Sequence, residues 1–202
     1  MNPLSLSRRH WIGSALATCG SLAAAGLAHA QTAPVPEGYT RPGPVTERGR
    51  APGLQSKVVY QGPNGETTYA LIFGKGDEIL SGLTEFAEAR KLTAGYFSAI
   101  GALERARFGW FDAAKKAYRN IPIEQQAELI SLLGDVGLVD GKPQIHAHGA
   151  VGFSDGEVRG GHLLQAFVWP TLELFFTALP ATLIKKEDPE TDLDLFDLKA
   201  TS

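Results

Sequence analysis

Residues 143–164, PQIHAHGAVGFSDGEVRGGHLL, predict two antiparallel strands joined by a tight turn. The dipeptide Asp155-Gly156 is the turn signal, since both residue types tolerate the backbone angles of short hairpins. Side chains on a strand alternate between faces, so His146 and His148 point the same way, with Cα atoms about 7 Å apart. A register centred on the turn places residue 163 opposite His148, and His162 then lies beside the pair.

These three histidines are candidate metal ligands. They are what remains of five histidines when residues 1–30 are set aside. Imidazole suits zinc, copper, iron and nickel, and three protein ligands with a water form an open zinc site. Glu173 is the candidate for the fourth position, or for a general acid or base. In the alternative interpretation, each histidine only hydrogen-bonds a neighbouring carbonyl. Gly160-Gly161 predicts a bulge or a close backbone approach.

The first thirty residues have the pattern of an export signal. Arg8 and Arg9 precede an apolar run rich in Ala and Gly, and Ala28-His29-Ala30 resembles a cleavage site. The adjacent arginines favour the twin-arginine route, with a general secretory signal as the alternative. The run is short and lacks the roughly 20 predominantly apolar residues of a spanning helix. We therefore expect a periplasmic or secreted protein with no membrane span in its mature form.

Cleavage after Ala30 changes the composition of the chain. Of 19 Lys and Arg it removes the two arginines, leaving 17 against 22 Asp and Glu, a net charge of −5. It also removes the one cysteine, so the mature chain forms no disulfide. Nucleic-acid binders need positive charge to displace condensed counterions, and the sequence has no Lys/Arg stripe. Binding to nucleic acid is therefore disfavoured.

The remaining chain divides into a predicted flexible linker and one domain. Residues 31–56 are rich in Pro and Gly with few large apolar side chains, which is typical of a linker. Residues 57–200 have the usual size of one domain. In it, a hairpin turning at Asn64-Gly65 precedes a helix over residues 76–91, which Asp77 is expected to cap. Six further strands are predicted, at 93–103, 105–111, 117–123, 127–139, 143–153 and 163–179.

Short turns between successive strands imply antiparallel pairing, because parallel neighbours need a long crossover. We therefore predict an α+β fold in which a mainly antiparallel sheet packs against one main helix. The acidic tail over residues 187–198 is either a short edge strand or an oligomer contact.

The most specific sequence element resembles the plant and prokaryote conserved (PPC) domain. It combines a D-G-K-P turn, H-x-H, G-G-H-L and T-x-E in that order, and the resemblance extends over residues 57–198. It implies an antiparallel sheet with one main helix, assembly as a homotrimer, and a metal site at His146, His148 and His162. Glu173 lies at the T-x-E position. In plant members the domain follows AT-hook segments, whose core is R-G-R-P. This chain lacks that core, and RGRAP at residues 48–52 matches it only in part. The chain therefore resembles a stand-alone bacterial member.

Two functions follow from this interpretation. The first is an exported, trimeric module that holds a divalent metal, most simply zinc, and binds a small molecule or a protein partner. The second is a metal-dependent hydrolase or lyase of the zinc type, in which the ion polarises a carbonyl or activates water and Glu173 moves protons. The first function requires less of the site and is preferred.

Overall fold

The computed structural model describes residues 34–200, so the predicted export signal lies outside the described part of the chain. The described residues form ten strands and one helix. The elements are β1 (Tyr39–Thr40), β2 (Gln55–Gln61), β3 (Thr67–Phe73), α1 (Ile79–Ala89), β4 (Gly95–Asp112), β5 (Ala117–Ile123), β6 (Ala127–Val139), β7 (Lys142–Gly152), β8 (Val158–Ala178), β9 (Lys185–Asp188) and β10 (Leu193–Phe196).

The first eight strands form one sheet, with the order β1-β5-β4-β6-β7-β8-β3-β2. Every pairing between these strands is antiparallel. An additional pairing of β4 with β8 closes a ring of β4, β6, β7 and β8. The prediction of a mainly antiparallel sheet with one helix is confirmed. The helix is not long and apolar enough to cross a membrane, and it is the one helix within residues 34–200.

The strands at the centre are longer than the sequence predicted. Residues 93–103 and 105–111 were expected as two strands, but β4 runs without a break for 18 residues. Its pairing with β8 shifts register on both sides of Leu103. Such irregularities let a long strand bend and twist without ending. The two predicted segments are therefore parts of one strand.

The helix α1 buries the apolar side predicted from its spacing, which includes Leu83, Phe86 and Ala87. Its N-cap is Glu78 rather than Asp77, because a Glu78 oxygen accepts a 2.6 Å hydrogen bond from the Ser81 amide. The Asp77 carboxylate is already occupied by the amides of Gly53 and Gly74, each at 2.9 Å. It fixes loops around the helix instead of capping it.

The core lies between α1 and the sheet. Phe176 is fully buried, with its ring 5.7 Å from that of Phe97 and 5.6 Å from that of Phe86. Apolar side chains from β3, β4, β6 and β8 complete this cluster. The outward face of the sheet carries large apolar side chains as well, and these are more than half exposed: Tyr96, Ile100, Ile130, Leu133 and Phe175.

Two segments outside the central strands, one before β2 and one after β8, also adopt regular structure. Within the range of linker-like composition, β1 pairs with β5 and the Arg50 carbonyl accepts a 2.8 Å bond from the Glu78 amide. This part of the range lies against the domain, because its backbone groups find partners there. The acidic tail forms a separate hairpin of β9 and β10, in which Lys185 lies opposite Phe196.

Candidate metal centre

The hairpin of β7 and β8 brings the three histidines together. His148 and His162 are directly opposite each other in the ladder, with His146 two residues along β7. One ligating nitrogen from each of the three lies within 4.8 Å of the other two. The ring centroids are 5.1 to 5.4 Å apart.

The observed register differs by one residue from the predicted one, which placed residue 163 opposite His148. The loop contains three residues, 154–156, closed by a 3.0 Å bond from the Phe153 amide to the Glu157 carbonyl. Gly156 adopts φ +86°, the left-handed residue of a three-residue hairpin. A one-residue slip moves every side chain to the other face. This loop length therefore puts His162 on the same face as its two partners.

The predicted close approach at Gly160-Gly161 is present. A Cβ atom at Gly160 would lie 2.1 Å from the Gly149 oxygen, and one at Gly161 would lie 2.6 Å from the Gly109 oxygen. Neither contact is sterically possible, so β8 fits between β7 and β4 only with glycine at these positions. The two glycines hold the backbone of His162 close to both neighbouring strands.

A carboxylate orients one of the three imidazoles. Asp135 lies opposite His146 on β6, and its Oδ2 is 3.2 Å from His146 Nδ1. When Nδ1 carries the proton for this bond, Nε2 of His146 is left unprotonated for an ion, as is usual for metal-binding histidines. Burial opposes the charge of Asp135, but hydrogen bonds from His146 and Lys185 bring its pKa below the usual value. Asp135 is therefore an anion at neutral pH.

The other oxygen of Asp135 binds a buried lysine. Lys185 Nζ donates a 2.7 Å hydrogen bond to Asp135 Oδ1, and the lysine side chain is only 3% exposed. Sequence reasoning missed both residues. The turn at Asp140-Gly141 could have revealed Asp135, since a two-residue loop there places it opposite His146. Lys185 had no such signal, because the tail folds back over a long distance.

His162 is the most deeply buried of the three histidines. Its ring stacks on Tyr118 with centroids 4.2 Å apart, and its Nδ1 is buried without a hydrogen-bond partner among the described residues. Burial, together with the nearby His146 and His148, lowers the pKa of His162 to about 3. Burial also lowers the pKa of His148. Both rings are therefore neutral at pH 7, the form that binds metals.

These features fit a divalent metal ion. Three converging imidazoles, two of them held neutral, are a donor set that suits zinc. The carboxylate behind His146 supplies the outer-shell hydrogen bond that such sites need. The alternative in which each histidine bonds a nearby carbonyl does not fit His162, whose buried Nδ1 has no hydrogen-bond partner among the described residues.

Glu173 does not join the histidines within one chain. It lies eleven residues from His162 along β8, about 35 Å for an extended strand. Its register partners are Ile72 and Ile100, and it lines a cavity with Ile100 and Pro170. The group of residues able to hold a metal contains the three histidines and no carboxylate in the described part of the chain.

A cavity of about 300 Å³ opens beside the histidines. His146, His162 and Tyr118 form its floor, and Pro42-Gly43 forms one wall. The tail hairpin contributes Lys185, Leu193, Asp194, Leu195 and Phe196, and Asp135, Gln144 and Ile145 complete the lining. Two of the three histidines therefore line this cavity, whereas His148 lines a separate, shallower pocket with Leu133 and Gly134.

Comparison with known proteins gives the chain relatives of the same fold. The sequence profile of the Plants and Prokaryotes Conserved domain matches residues 60–180, more than half of the chain. A plant- and prokaryote-conserved (PPC) protein from Pyrococcus horikoshii is 32% identical, with a TM-score of 0.62, 66% of this chain covered and 93% of that one. A metal-containing protein from Archaeoglobus fulgidus is 32% identical, with a TM-score of 0.61 and coverages of 71% and 96%. No curated protein sequence matches the chain.

A third structure bears on the choice of partner. A Ralstonia eutropha protein described as a "putative DNA-binding protein" is 29% identical, with a TM-score of 0.62 and coverages of 69% and 94%. This description does not fit the expectation that nucleic acid is not a partner of this chain. The matched profile and the shared architecture agree with the resemblance seen in the motifs. The chain belongs to the plant and prokaryote conserved (PPC) domain family.

Proposed function

We propose that this protein is an exported, trimeric module that holds a divalent metal ion, most simply zinc, and binds a small molecule or a protein partner there. The observation that carries the proposal is the convergence of three imidazole nitrogens within 4.8 Å. The similarity to a metal-containing archaeal protein supports it. Zinc held by three imidazoles would offer a ligand its fourth coordination position.

The chain's own residues prepare the site. Asp135 fixes the ring of His146 through Nδ1, and Tyr118 packs flat against His162. Burial keeps His162 and His148 unprotonated, so an ion does not have to displace protons at neutral pH. The pocket beside His146 and His162 has room for a molecule of limited size.

A binding role is favoured over catalysis because a hydrolase needs a proton-transferring group near the ion. Glu173, the residue expected in that role, lies far along β8. The two carboxylates that line the cavity both accept hydrogen bonds already: Asp135 from Lys185 and Asp194 from Gln144. Binding of a ligand requires no such group.

Assembly and export are parts of the same proposal. Tyr96, Ile100, Ile130, Leu133 and Phe175 are each 51–61% exposed on the outward sheet face, and exposed apolar surface of this kind favours contact with another subunit. The export signal predicted from the sequence of residues 1–30 supports a periplasmic location. The twin-arginine route would allow the metal to be loaded before the folded protein leaves the cytoplasm.

Metal analysis tests the proposal. The protein, purified without chelator, should contain about one metal ion per chain, and His148→Ala should lose it. Glu173→Gln is the matched control and should retain the metal, since it lies on the same sheet far from the histidines. A wild-type protein without metal, or an equal metal content in His148→Ala, would refute the metal site.

Three further measurements test the remaining parts. Light scattering should give three times the single-chain mass, and a single-chain mass would contradict the trimer. Replacing Arg8 and Arg9 together by Lys should trap the protein in the cytoplasm, whereas normal export would contradict the twin-arginine route. Titration with a labelled DNA duplex should give no saturation at moderate salt. Saturation that weakens steeply with salt would restore DNA as a partner.

A further inference from the structure

A second cavity, of about 280 Å³, lies between the sheet and the segment that precedes β2. One wall is formed by residues 40–47, here called the strap, and the others come from β4, β5, β7, β8 and the start of α1. The strap precedes residue 60, where the match to the family profile begins. The ligand that this wall selects is therefore not specified by the family profile.

Contacts at both ends fix the strap to the domain. At one end β1 pairs with β5, and Thr40 Oγ1 donates a 2.8 Å hydrogen bond to Asn120 Oδ1. Beyond the other end, Arg48 pairs with Glu88 of α1 at 2.7 Å and donates a 2.7 Å bond to the Val45 carbonyl. The strap is therefore held in place, and the cavity exists before a ligand enters it.

Arg107, on β4, lines this cavity with an unpaired positive charge. Its Nε is buried and has no hydrogen-bond partner among residues 34–200, and the same residues supply no ion pair to its guanidinium. A buried donor without an acceptor costs free energy, and the cost is larger for a charged group. An anionic acceptor beside the guanidinium would offset part of this cost.

The acidic side chains of the lining do not take this role. Glu78 accepts hydrogen bonds from the amides of Ser81 at 2.6 Å and Ala166 at 3.1 Å, and Glu47 pairs with Arg50 at 3.3 Å. The lining contains two arginines and two glutamates, so it is not net negative. Because both carboxylates have donors of their own, the unbalanced group in the cavity is the guanidinium described above.

Gln165 places a neutral polar group beside Arg107. The two residues are register partners on β8 and β4, and both line the cavity. Side chains of directly opposed residues leave the sheet on the same face, with Cβ atoms about 4.5–5.5 Å apart. Within the described part of the chain, the Gln165 amide group makes no hydrogen bond. A carboxylate between them would accept bonds from the guanidinium and from the amide nitrogen.

The rest of the lining is largely apolar, and it limits the ligand to a small molecule. At roughly 30 Å³ per water-sized group, the cavity accommodates about nine non-hydrogen atoms. The apolar side chains come from the strap, the helix and two strands: Pro44, Val45, Leu80, Ile145, Leu163 and Leu164. The ligand that fits has one charged end and an apolar body.

We propose that this cavity binds a small monocarboxylate with an apolar body, whose carboxylate contacts Arg107 and Gln165. The apolar body lies against the strap and the leucines of β8. This site does not require a metal ion, so the inference does not rest on the proposed metal site. An uncharged analogue of the same shape binds more weakly, because it leaves the positive charge of Arg107 unpaired.

The test compares benzoate with benzamide, its uncharged analogue, by calorimetry on protein with and without chelator treatment. Benzoate should saturate in both preparations, and benzamide should bind at least about tenfold more weakly. Arg107→Met should weaken benzoate by about tenfold or more and leave benzamide unchanged. Arg105→Met is the matched control on the same strand. Arg105 stacks on Phe167 at 3.8 Å, does not line the cavity and should leave the affinity unchanged.

Two more variants locate the ligand and guard against misfolding. Gln165→Leu should weaken benzoate several-fold, whereas Asp194→Asn, in the cavity beside His146, should leave it unchanged. Urea unfolding of Arg107→Met should show no loss of stability, because the variant removes a buried donor that has no partner.

Four results would overturn the inference. They are equal affinity for benzoate and benzamide, unchanged benzoate affinity in both Arg107→Met and Gln165→Leu, tighter binding of inorganic phosphate than of benzoate, and loss of benzoate binding on chelation. The last result would assign benzoate to the metal centre. Metal-free protein that still binds benzoate through Arg107 would support this inference even if the proposed metal site failed its own test.

Discussion

Replacing Asp135 by Asn tests the arrangement behind the histidines most directly. One Asp135 oxygen contacts His146 and the other accepts from Lys185, so the substitution acts on metal binding and on stability at once. Loss of the carboxylate behind a metal-binding histidine typically costs 10- to 100-fold in affinity. We therefore expect zinc affinity to fall by about 1.4–2.7 kcal/mol.

The same substitution leaves the ammonium of Lys185 buried without a counter-charge. The Lys185 side chain is 3% exposed, so water does not compensate. Removing one partner of a buried pair costs about 3–5 kcal/mol, and the Asn carbonyl recovers part of this. We expect the free energy of unfolding of the metal-free protein to fall by about 3 kcal/mol. Asp135→Asn combined with Lys185→Met should recover most of this loss, since no buried charge remains.

Two assays separate the effects. Urea unfolding of chelator-treated protein gives the free energy of unfolding of the wild type, the two single variants and the double variant. Competition with a chromogenic chelator gives their zinc affinity. Asp197→Asn, which removes the partner of the exposed Lys186, is the control and should change neither. The reasoning fails if Asp135→Asn binds zinc like the wild type, or if the double variant is as unstable as the sum of the single variants.

Three further outcomes are expected. The unfolded chain protonates His162 near its ordinary pKa of 6.5, whereas the folded protein resists protonation down to about 3. Metal-free protein should therefore lose about 2 kcal/mol of stability between pH 7 and pH 5, and urea unfolding of His162→Gln should show a smaller loss. Phe176→Ala should cost about 3–5 kcal/mol in the same assay, because it empties a fully buried site, and a smaller loss would mean the core collapses around it. Gly160→Ala should lower zinc affinity more than tenfold by forcing β8 away from Gly149. Competition with a chelator measures this affinity, and a value equal to that of the wild type would contradict the prediction.

Local sequence signals were sufficient for much of the fold. Alternating apolar residues and turn dipeptides predicted the antiparallel strands, and helical spacing predicted the buried side of α1. The cap was assigned wrongly to Asp77, since the sequence does not show that Gly53 and Gly74 bind this carboxylate. The division of β4 at residue 104 was also wrong, because a bulge within a strand and the end of a strand interrupt the alternation of apolar and polar residues in the same way.

The candidate site, like the fold, was predicted only where a local sequence pattern reports the arrangement. Alternation along one strand is local, so His146 and His148 could be paired from sequence. The loop conformation that places His162 depends on a left-handed Gly156, and the sequence allowed more than one loop length. Lys185 reaches Asp135 across fifty positions of the chain, and no local pattern reports such a contact. Glu173 was chosen by motif, and motif order does not give distance.

The short connection at residues 154–156 bears on how relatives of this protein can diverge. Hairpin tips normally tolerate insertions and deletions. Here a single added residue that enters the ladder would turn His162 away from its partners, together with the core side chains of the slipped strand, and two would restore both. A relative with an odd change in length at this tip would therefore keep both the core and the convergence of the imidazoles only if a bulge elsewhere in the strands absorbed the change. The number of residues in this hairpin loop thus offers a simple criterion for sorting homologues by whether the three imidazoles can converge without such a bulge.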